Sequence, residues 1–378
     1  METISFVIPC LNEEKNLPSV LEKINNLKKA FLKNLNLEII VSDNGSTDNS
    51  MIVAKKYGAK VVQCPIKGYG AALKYGIKYS VGDVIIFADA DNTYDFYESP
   101  MLINELSKGY DLVIGDRLKG NIQKNAMPFL HKYIGTPMLT FIINYLYSHD
   151  EIKIFDCNSG FRCFKRNSFY LWGIKSDGME FASEMLVKAL KSNSKISHVP
   201  ISLYPDSKDR KPHLKTWTDG MRHLLQIFTE TPVFFFRVGI LLVLFSWMIL
   251  ILSLFTGPVT IYKFSIFGLH TMMFTLLGSY LGITILSIGL LLSINNDKSV
   301  EFYKYLINLQ ENKVFWSSVL LFTFGLISLL LIIIKWGLSG FIQLSLERET
   351  LVLVTFGVDF IQIVFILITA HLMKRILK

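Results

Sequence analysis

Up to Thr231 the chain alternates short apolar runs with longer amphipathic stretches, and beyond it apolar residues are almost continuous. Residues 4–8, 38–41, 60–63, 84–88 and 112–114 are short, apolar and rich in Val and Ile, which predicts strands. Residues 15–32, 49–57 and 71–79 have helical spacing. Strand and helix in alternation predict a mostly parallel α/β sheet with helices on both faces. Ligands of such sheets gather beyond the carboxyl ends of the strands, so the residues just after each strand matter most. After Thr231, four stretches, about 236–255, 269–294, 314–334 and 351–373, stay apolar for about 18 residues or more, enough to cross a hydrocarbon layer about 30 Å thick. Between the two parts, Trp217, Met221, Leu224, Leu225 and Phe228 recur at three-to-four spacing, with Arg222 and His223 among the polar positions. That pattern predicts an amphipathic helix lying in a bilayer surface. The predicted organisation is a domain over residues 1–215, an interfacial helix over 216–232 and a four-span membrane region over 233–378.

A net charge of +8 and an isoelectric point near 9.1 call for an acidic partner. In a chain with this much apolar sequence that partner is first of all anionic lipid, and no nucleic-acid motif points elsewhere. Met1-Glu2-Thr3 lacks a basic leader and the first apolar run is too short for a secretory signal, so the soluble part is expected in the cytoplasm. Lys374, Arg375 and Lys378 in the tail, with Lys298, Lys304 and Lys313 in the 295–313 loop, outnumber Lys263 and Arg348 in the other two loops. Positive-inside counting then gives a multi-pass cell-membrane protein with both ends inside. Cys10, Cys64, Cys157 and Cys163 form no Cys-x-x-Cys pair and read as reduced, buried thiols, and the seven histidines show no zinc spacing.

Polar clusters follow all five predicted strands: Pro9-Cys10-Leu11-Asn12-Glu13, Ser42-Asp43-Asn44-Gly45-Ser46, Lys67-Gly68-Tyr69-Gly70, Asp89-Ala90-Asp91 and Gly115-Asp116-Arg117. One such cluster is ordinary turn chemistry. Their recurrence at one sheet edge is what turn formation leaves unexplained. Asp89 and Asp91, at the end of an apolar run, can hold a divalent cation against a diphosphate. Lys67-Gly68-Tyr69-Gly70 precedes a helix, so its amides and the helix start suit phosphate, although Leu73 stands where a dinucleotide fingerprint has its third glycine.

Taken in order, Ile8-Pro9-Cys10-Leu11-Asn12-Glu13-Glu14, Asp43-Asn44-Gly45-Ser46-Thr47-Asp48, Lys67-Gly68-Tyr69-Gly70-Ala71-Ala72, Asp89-Ala90-Asp91, Gly115-Asp116-Arg117 and Ser159-Gly160-Phe161-Arg162 resemble the family 2 glycosyltransferases. Over about residues 5–228 the chain is most similar to the branch of dolichol-phosphate mannose synthases and polyprenyl-phosphate glycosyltransferases. The resemblance implies a Rossmann-like nucleotide-binding domain of the GT-A type. It places Pro9, Leu11 and Glu13 beside base and ribose, Asp43 and Asn44 at the base, Lys67 and Gly68 at the nucleotide, and Asp89 near the ribose. Asp91, with Asp89, is implied at Mg²⁺ or Mn²⁺. Arg117 is implied at the donor phosphates and Asp156 on the acceptor side. Lys132, Arg162 and the loop with Arg210, Lys211 and Lys215 are implied at the acceptor phosphate. Two positions depart from the pattern: Thr93 where the family often has Gln, and Asn44 where a second aspartate is more usual.

The implied reaction moves one hexose, of glucose or mannose class, from a UDP- or GDP-sugar to undecaprenyl or dolichyl phosphate with inversion. A hydroxyl acceptor needs Asp156 as a general base, whereas a phosphate acceptor is already a nucleophile near neutral pH and needs Asp156 only to orient it, and the sequence leaves both roles open. Glu180 and Glu184, at helical spacing, are alternative acids. Two other readings remain compatible with these residues: a processive polysaccharide synthase, whose Gln-x-x-Arg-Trp run is absent, and a lipid-linked sugar transporter or its partner. Asp359, an acid within the fourth span, reads equally as a functional group or a neutral, hydrogen-bonded acid. The sequence leaves room for a homo-oligomer.

Overall fold

A computed structural model describes residues 3–30, 36–148, 152–207, 216–256, 259–261, 264–266, 268–294, 300–338 and 348–376. The chain divides into two compact units, Met1–Phe228 and Thr229–Lys378.

In the first unit the elements run β1 (Thr3–Cys10), α1 (Leu17–Ala30), β2 (Asn36–Asp43), α2 (Ser50–Lys56), β3 (Lys60–Gln63), α3 (Tyr69–Lys78), β4 (Val84–Phe87), α4 (Ser99–Ser107), β5 (Leu112–Asp116), α5 (Thr136–Tyr147), β6 (Arg162–Lys165), α6 (Arg166–Trp172), α7 (Phe181–Lys191), β7 (Ile196–Pro200) and α8 (Thr216–Thr229). Seven strands form one sheet in the order β3-β2-β1-β4-β6-β5-β7. β1 pairs in parallel with β2 from Thr3 against Asn36 to Cys10 against Asp43, and with β4 on its other side. β6 runs antiparallel between β4 and β5, while β7 lies parallel to β5.

The sheet is buried on both faces, which is why its central strands read as unbroken apolar runs. Ile4, Phe6 and Ile8 cluster with Leu17, Leu21 and Ile24 of α1, whereas Val7, Ile85 and Phe87 cluster with Phe164, Phe181 and Leu186. The alternation along β1 is the period of a strand. All four cysteines are free and buried, and burial pushes the Cys10 and Cys157 thiols up to about 12.

The second unit contains α9 (Pro232–Thr256), the hairpin β8 (Val259–Ile261) and β9 (Phe264–Ile266), α10 (Leu269–Leu292), α11 (Glu301–Asn308), α12 (Glu311–Leu338) and α13 (Arg348–Ile376). α9, α10, α12 and α13 have 25, 24, 28 and 29 residues and are long and apolar enough to cross a membrane. Within the unit Asp359 is buried, with Trp247 Nε1 donating to its Oδ2 at 2.9 Å and the Ser279 hydroxyl to its Oδ1 at 3.2 Å. One acid thereby joins α9, α10 and α13.

Candidate active site

The loops after β1 and β2 clasp each other. Asn12 accepts the Thr47 amide at 2.7 Å and donates its own amide to Ser46 Oγ at 2.9 Å. The Glu13 amide donates to Ser50 Oγ at 2.9 Å, and Glu13 Oε2 accepts from Asn16 Nδ2 at 2.7 Å. Asp43 is buried and accepts the Gly45 and Ser46 amides at 3.1 and 3.2 Å. Pro9 is buried at the end of β1, and Leu11 is half-buried beside this network. The structure therefore assembles Pro9, Leu11, Glu13 and Asp43 at one sheet edge.

Asn44 has a different task. Its Nδ2 donates to the Ile66 carbonyl at 2.7 Å and its Oδ1 accepts the Gly68 amide at 2.8 Å. The Gly70 and Ala71 amides go to the Gly178 and Asp177 carbonyls at 3.2 and 3.0 Å. The amides of Gly68, Gly70 and Ala71 thus have protein acceptors, and Asn44 staples the turn. Glycine is needed at 68 because φ is 137° and a Cβ there would lie 2.1 Å from the Asp177 carbonyl oxygen. The Lys67 side chain remains exposed.

Asp89 and Asp91 follow β4. Asp91 is buried, and its Oδ1 accepts the Thr93 amide at 3.0 Å and the Thr93 hydroxyl at 2.6 Å. Thr93, at the position where glutamine was the usual residue, fixes the carboxylate. Asp89 is half-buried and hydrogen-bonded to the Tyr69 phenol, whose pKa rises through burial and the nearby Asp89 charge. Among the described residues no group of three or more His, Cys, Asp or Glu side chains is placed to hold a metal. Two carboxylates at a strand end fit a hard cation that completes its shell with diphosphate oxygens and water.

Past β5, Arg117 closes on Asp156. Nε donates to Oδ2 at 2.7 Å, Nη2 to Oδ1 at 2.8 Å, and the Arg117 amide to Oδ2 at 3.2 Å. Asp156 is fully buried, while the Arg117 side chain keeps 12 % exposure. Burial opposes the charge on Arg117, but Asp156 and neighbouring groups outweigh it and hold its pKa above the ordinary value. Both oxygens of Asp156 thus accept from one arginine.

Arg162 requires a correction. Its side chain is fully buried, and Nε, Nη1 and Nη2 donate to the Ser159, Ala182 and Cys157 carbonyls at 3.0, 2.8 and 2.8 Å. It ties the 157–162 turn to α7 and is out of reach of an acceptor phosphate. Glu184 is likewise buried and accepts the Lys175 and Ser176 amides, and Glu180 Oε1 accepts the Gly178 amide. Lys132 lies in a π-turn, His131–Gly135, with its Nζ 5.3 Å from the Tyr133 ring. Arg210, Lys211 and Lys215 lie outside the described residues.

The 131–147 stretch meets α8 at two points. His131 Nε2 is 3.2 Å from Thr216 Oγ1 at one end, and at the other the Tyr147 hydroxyl donates to the Ile227 carbonyl. α8 docks through His223, which meets Ser183 Oγ at 2.9 Å, and through Ile227, so one of its polar positions, His223, is buried. Trp217, Met221 and Leu225 stay exposed on α8, as do Phe129, Tyr133, Phe141 and Tyr145 on the neighbouring stretch. Sequence reasoning missed this second apolar stripe, although 129, 133, 141 and 145 fall on one helical face. It also missed Tyr94 and His131, whose only signal was nearness to the motifs, and the pairing of Tyr69 with Asp89.

Residues 5–171 match the family model for glycosyl transferase family 2. The chain is 35% identical over 256 residues to the low-salt glycan biosynthesis hexosyltransferase Agl6 of Haloferax volcanii, covering 65% of this chain and 60% of that protein. It is 34% identical over 207 residues to an uncharacterized protein of Methanocaldococcus jannaschii, covering 53% of this chain and 81% of that one. It is 30% identical over 231 residues to the dolichol-phosphate mannosyltransferase of Pyrococcus furiosus, covering 59% and 63% of the two chains. The fold is a GT-A-like, mostly parallel sheet, and the chain belongs to glycosyltransferase family 2. It spans less than two thirds of Agl6 and of the mannosyltransferase.

Proposed function

We propose that this enzyme transfers a single hexose from a UDP- or GDP-sugar to a polyprenyl phosphate at a membrane surface, with inversion. The observation that carries the reading is the enclosed state of Asp156. A hydroxyl acceptor needs a general base, and the acid on the acceptor side is buried with both oxygens bound to Arg117. A phosphate monoester is largely dianionic near neutral pH and needs none. One of its oxygens forms the new bond to the anomeric carbon. The bond from that carbon to the donor diphosphate breaks, and the nucleoside diphosphate leaves with the electron pair.

When bound at Asp91 and Asp89, a divalent cation, Mg²⁺ or Mn²⁺, neutralises the leaving diphosphate. Arg117, aimed by Asp156, offers its remaining N–H groups to developing phosphate charge. Pro9, Leu11, Glu13 and Asp43 form the nucleotide side, and Lys67, Lys132, Arg210, Lys211 and Lys215 are the cations that serve the phosphates. The apolar stripes of α5 and α8 suit a bilayer surface, and the four long helices suit a multi-pass membrane protein with the catalytic unit in the cytoplasm. Similarity to a dolichol-phosphate mannosyltransferase and to a hexosyltransferase favours lipid phosphate and hexose. The test is a panel of radiolabelled UDP- and GDP-sugars offered to membranes containing the protein and undecaprenyl or dolichyl phosphate. One donor should give a labelled glycolipid, and label entering only soluble or polymeric product overturns the reading.

A further inference from the structure

Tyr94 lies three residues after Asp91, is 2 % exposed, and pairs through its backbone with Leu203. Its ring packs against Phe161 at 5.7 Å between centroids. Its hydroxyl oxygen is a meeting point. The Gly160 amide donates to it at 2.8 Å, and Arg117 Nη1 lies 3.5 Å away. Gly160 itself abuts Asp89, since a Cβ there would lie 2.8 Å from Asp89 Oδ2 and 3.2 Å from the Tyr94 hydroxyl. One phenol therefore touches both the turn that walls Asp89 and the arginine beside Asp156.

We propose that Tyr94 is a positioning residue for sugar transfer, its hydroxyl setting the one guanidinium corner of Arg117 that Asp156 leaves unheld. Asp156 engages Nε and Nη2, which fixes one edge of the planar guanidinium. Nη1 is the corner left over. The short Gly160 bond fixes the hydroxyl oxygen, while the Nη1 distance sits at the limit of hydrogen bonding, so the oxygen steers that nitrogen without consuming it. Burial keeps the phenol protonated, with its pKa pushed up to about 12. Misplacing a charged group by about 1 Å can cost a hundredfold in rate, so a hydroxyl that removes this freedom matters to turnover.

The inference rests on the transfer reading above, and a double-mutant cycle tests it in the full-length protein in lipid nanodiscs. Tyr94→Phe keeps the packed ring and removes the oxygen. It is expected to lower kcat about tenfold with the nucleotide-sugar KM within about twofold, and to cost less than about twofold on top of Arg117→Lys, which lacks Nη1. An unchanged kcat in Tyr94→Phe, or a tenfold penalty that persists in the Arg117→Lys background, overturns it. The same cycle is read on slow hydrolysis of the nucleotide sugar. If the unaltered enzyme transfers nothing to lipid phosphate, the acceptor assignment fails, and additivity or non-additivity in hydrolysis still decides the role of Tyr94.

Discussion

Asp91, just past β4, and Asp156, in the loop before β6, are both buried carboxylates, yet their surroundings give them different work. Thr93 binds Asp91 through its amide and hydroxyl, whereas an arginine grips both oxygens of Asp156. Replacing Asp91 by Ala should lower turnover about a hundredfold to a thousandfold by removing electrostatic support for the leaving group. Asp156→Asn should cost less, because no base duty is lost, whereas Asp156→Ala should destabilise the fold by about 3–5 kcal/mol by leaving the Arg117 charge uncompensated. Initial rates and melting temperatures of the three variants check this, and the opposite ranking of Asp91→Ala and Asp156→Asn contradicts it. Motif residues were legible in the sequence but their partners were not. Arg162 reads as a phosphate ligand until β6 is seen to pair antiparallel between β4 and β5, which turns its side chain toward three backbone carbonyls.

At the scale of elements, β1, β2, β4 and β5 could be read because burial on both faces demands continuous apolar residues, and the edge strand β3 could be read from its two valines. β6, Arg-Cys-Phe-Lys, has no such run and owes its conformation to its neighbours. α8 was legible as an amphipathic helix, but which face docks depended on a buried His223–Ser183 contact that spacing does not announce. Burial lowers the His223 pKa to about 4, with Glu180 and Asp219 opposing the shift. The folded state therefore binds fewer protons than the unfolded chain between about pH 6.5 and 4. This contribution to stability is present above pH 6.5 and is lost as the pH falls toward 4. The melting temperature should drop over that window and drop less in His223→Gln, and equal slopes for the two proteins would count against the docking. Among the membrane helices, Asp359→Asn can keep both bonds, accepting from Trp247 and donating to Ser279, whose hydroxyl also reaches the Leu276 carbonyl at 3.1 Å. It should retain wild-type transfer, while Asp359→Leu should melt earlier by thermal scan in detergent.

Over the whole molecule, a compact α/β unit carries the candidate site and a second unit holds four helices long and apolar enough to cross a membrane. The contrast was plain in the sequence because hydrocarbon and water select opposite compositions. The short α11 and the β8–β9 hairpin were not, since neither is long enough to leave a periodic signal. The account stands on an acceptor that arrives already ionised, and the most direct measurement gives the enzyme a choice. Purified protein in nanodiscs, with its nucleotide sugar and divalent cation, is offered undecaprenyl phosphate or undecaprenol in parallel. The account predicts label in a mild-acid-labile lipid phosphodiester from the phosphate alone, and equal or greater transfer to the alcohol contradicts it.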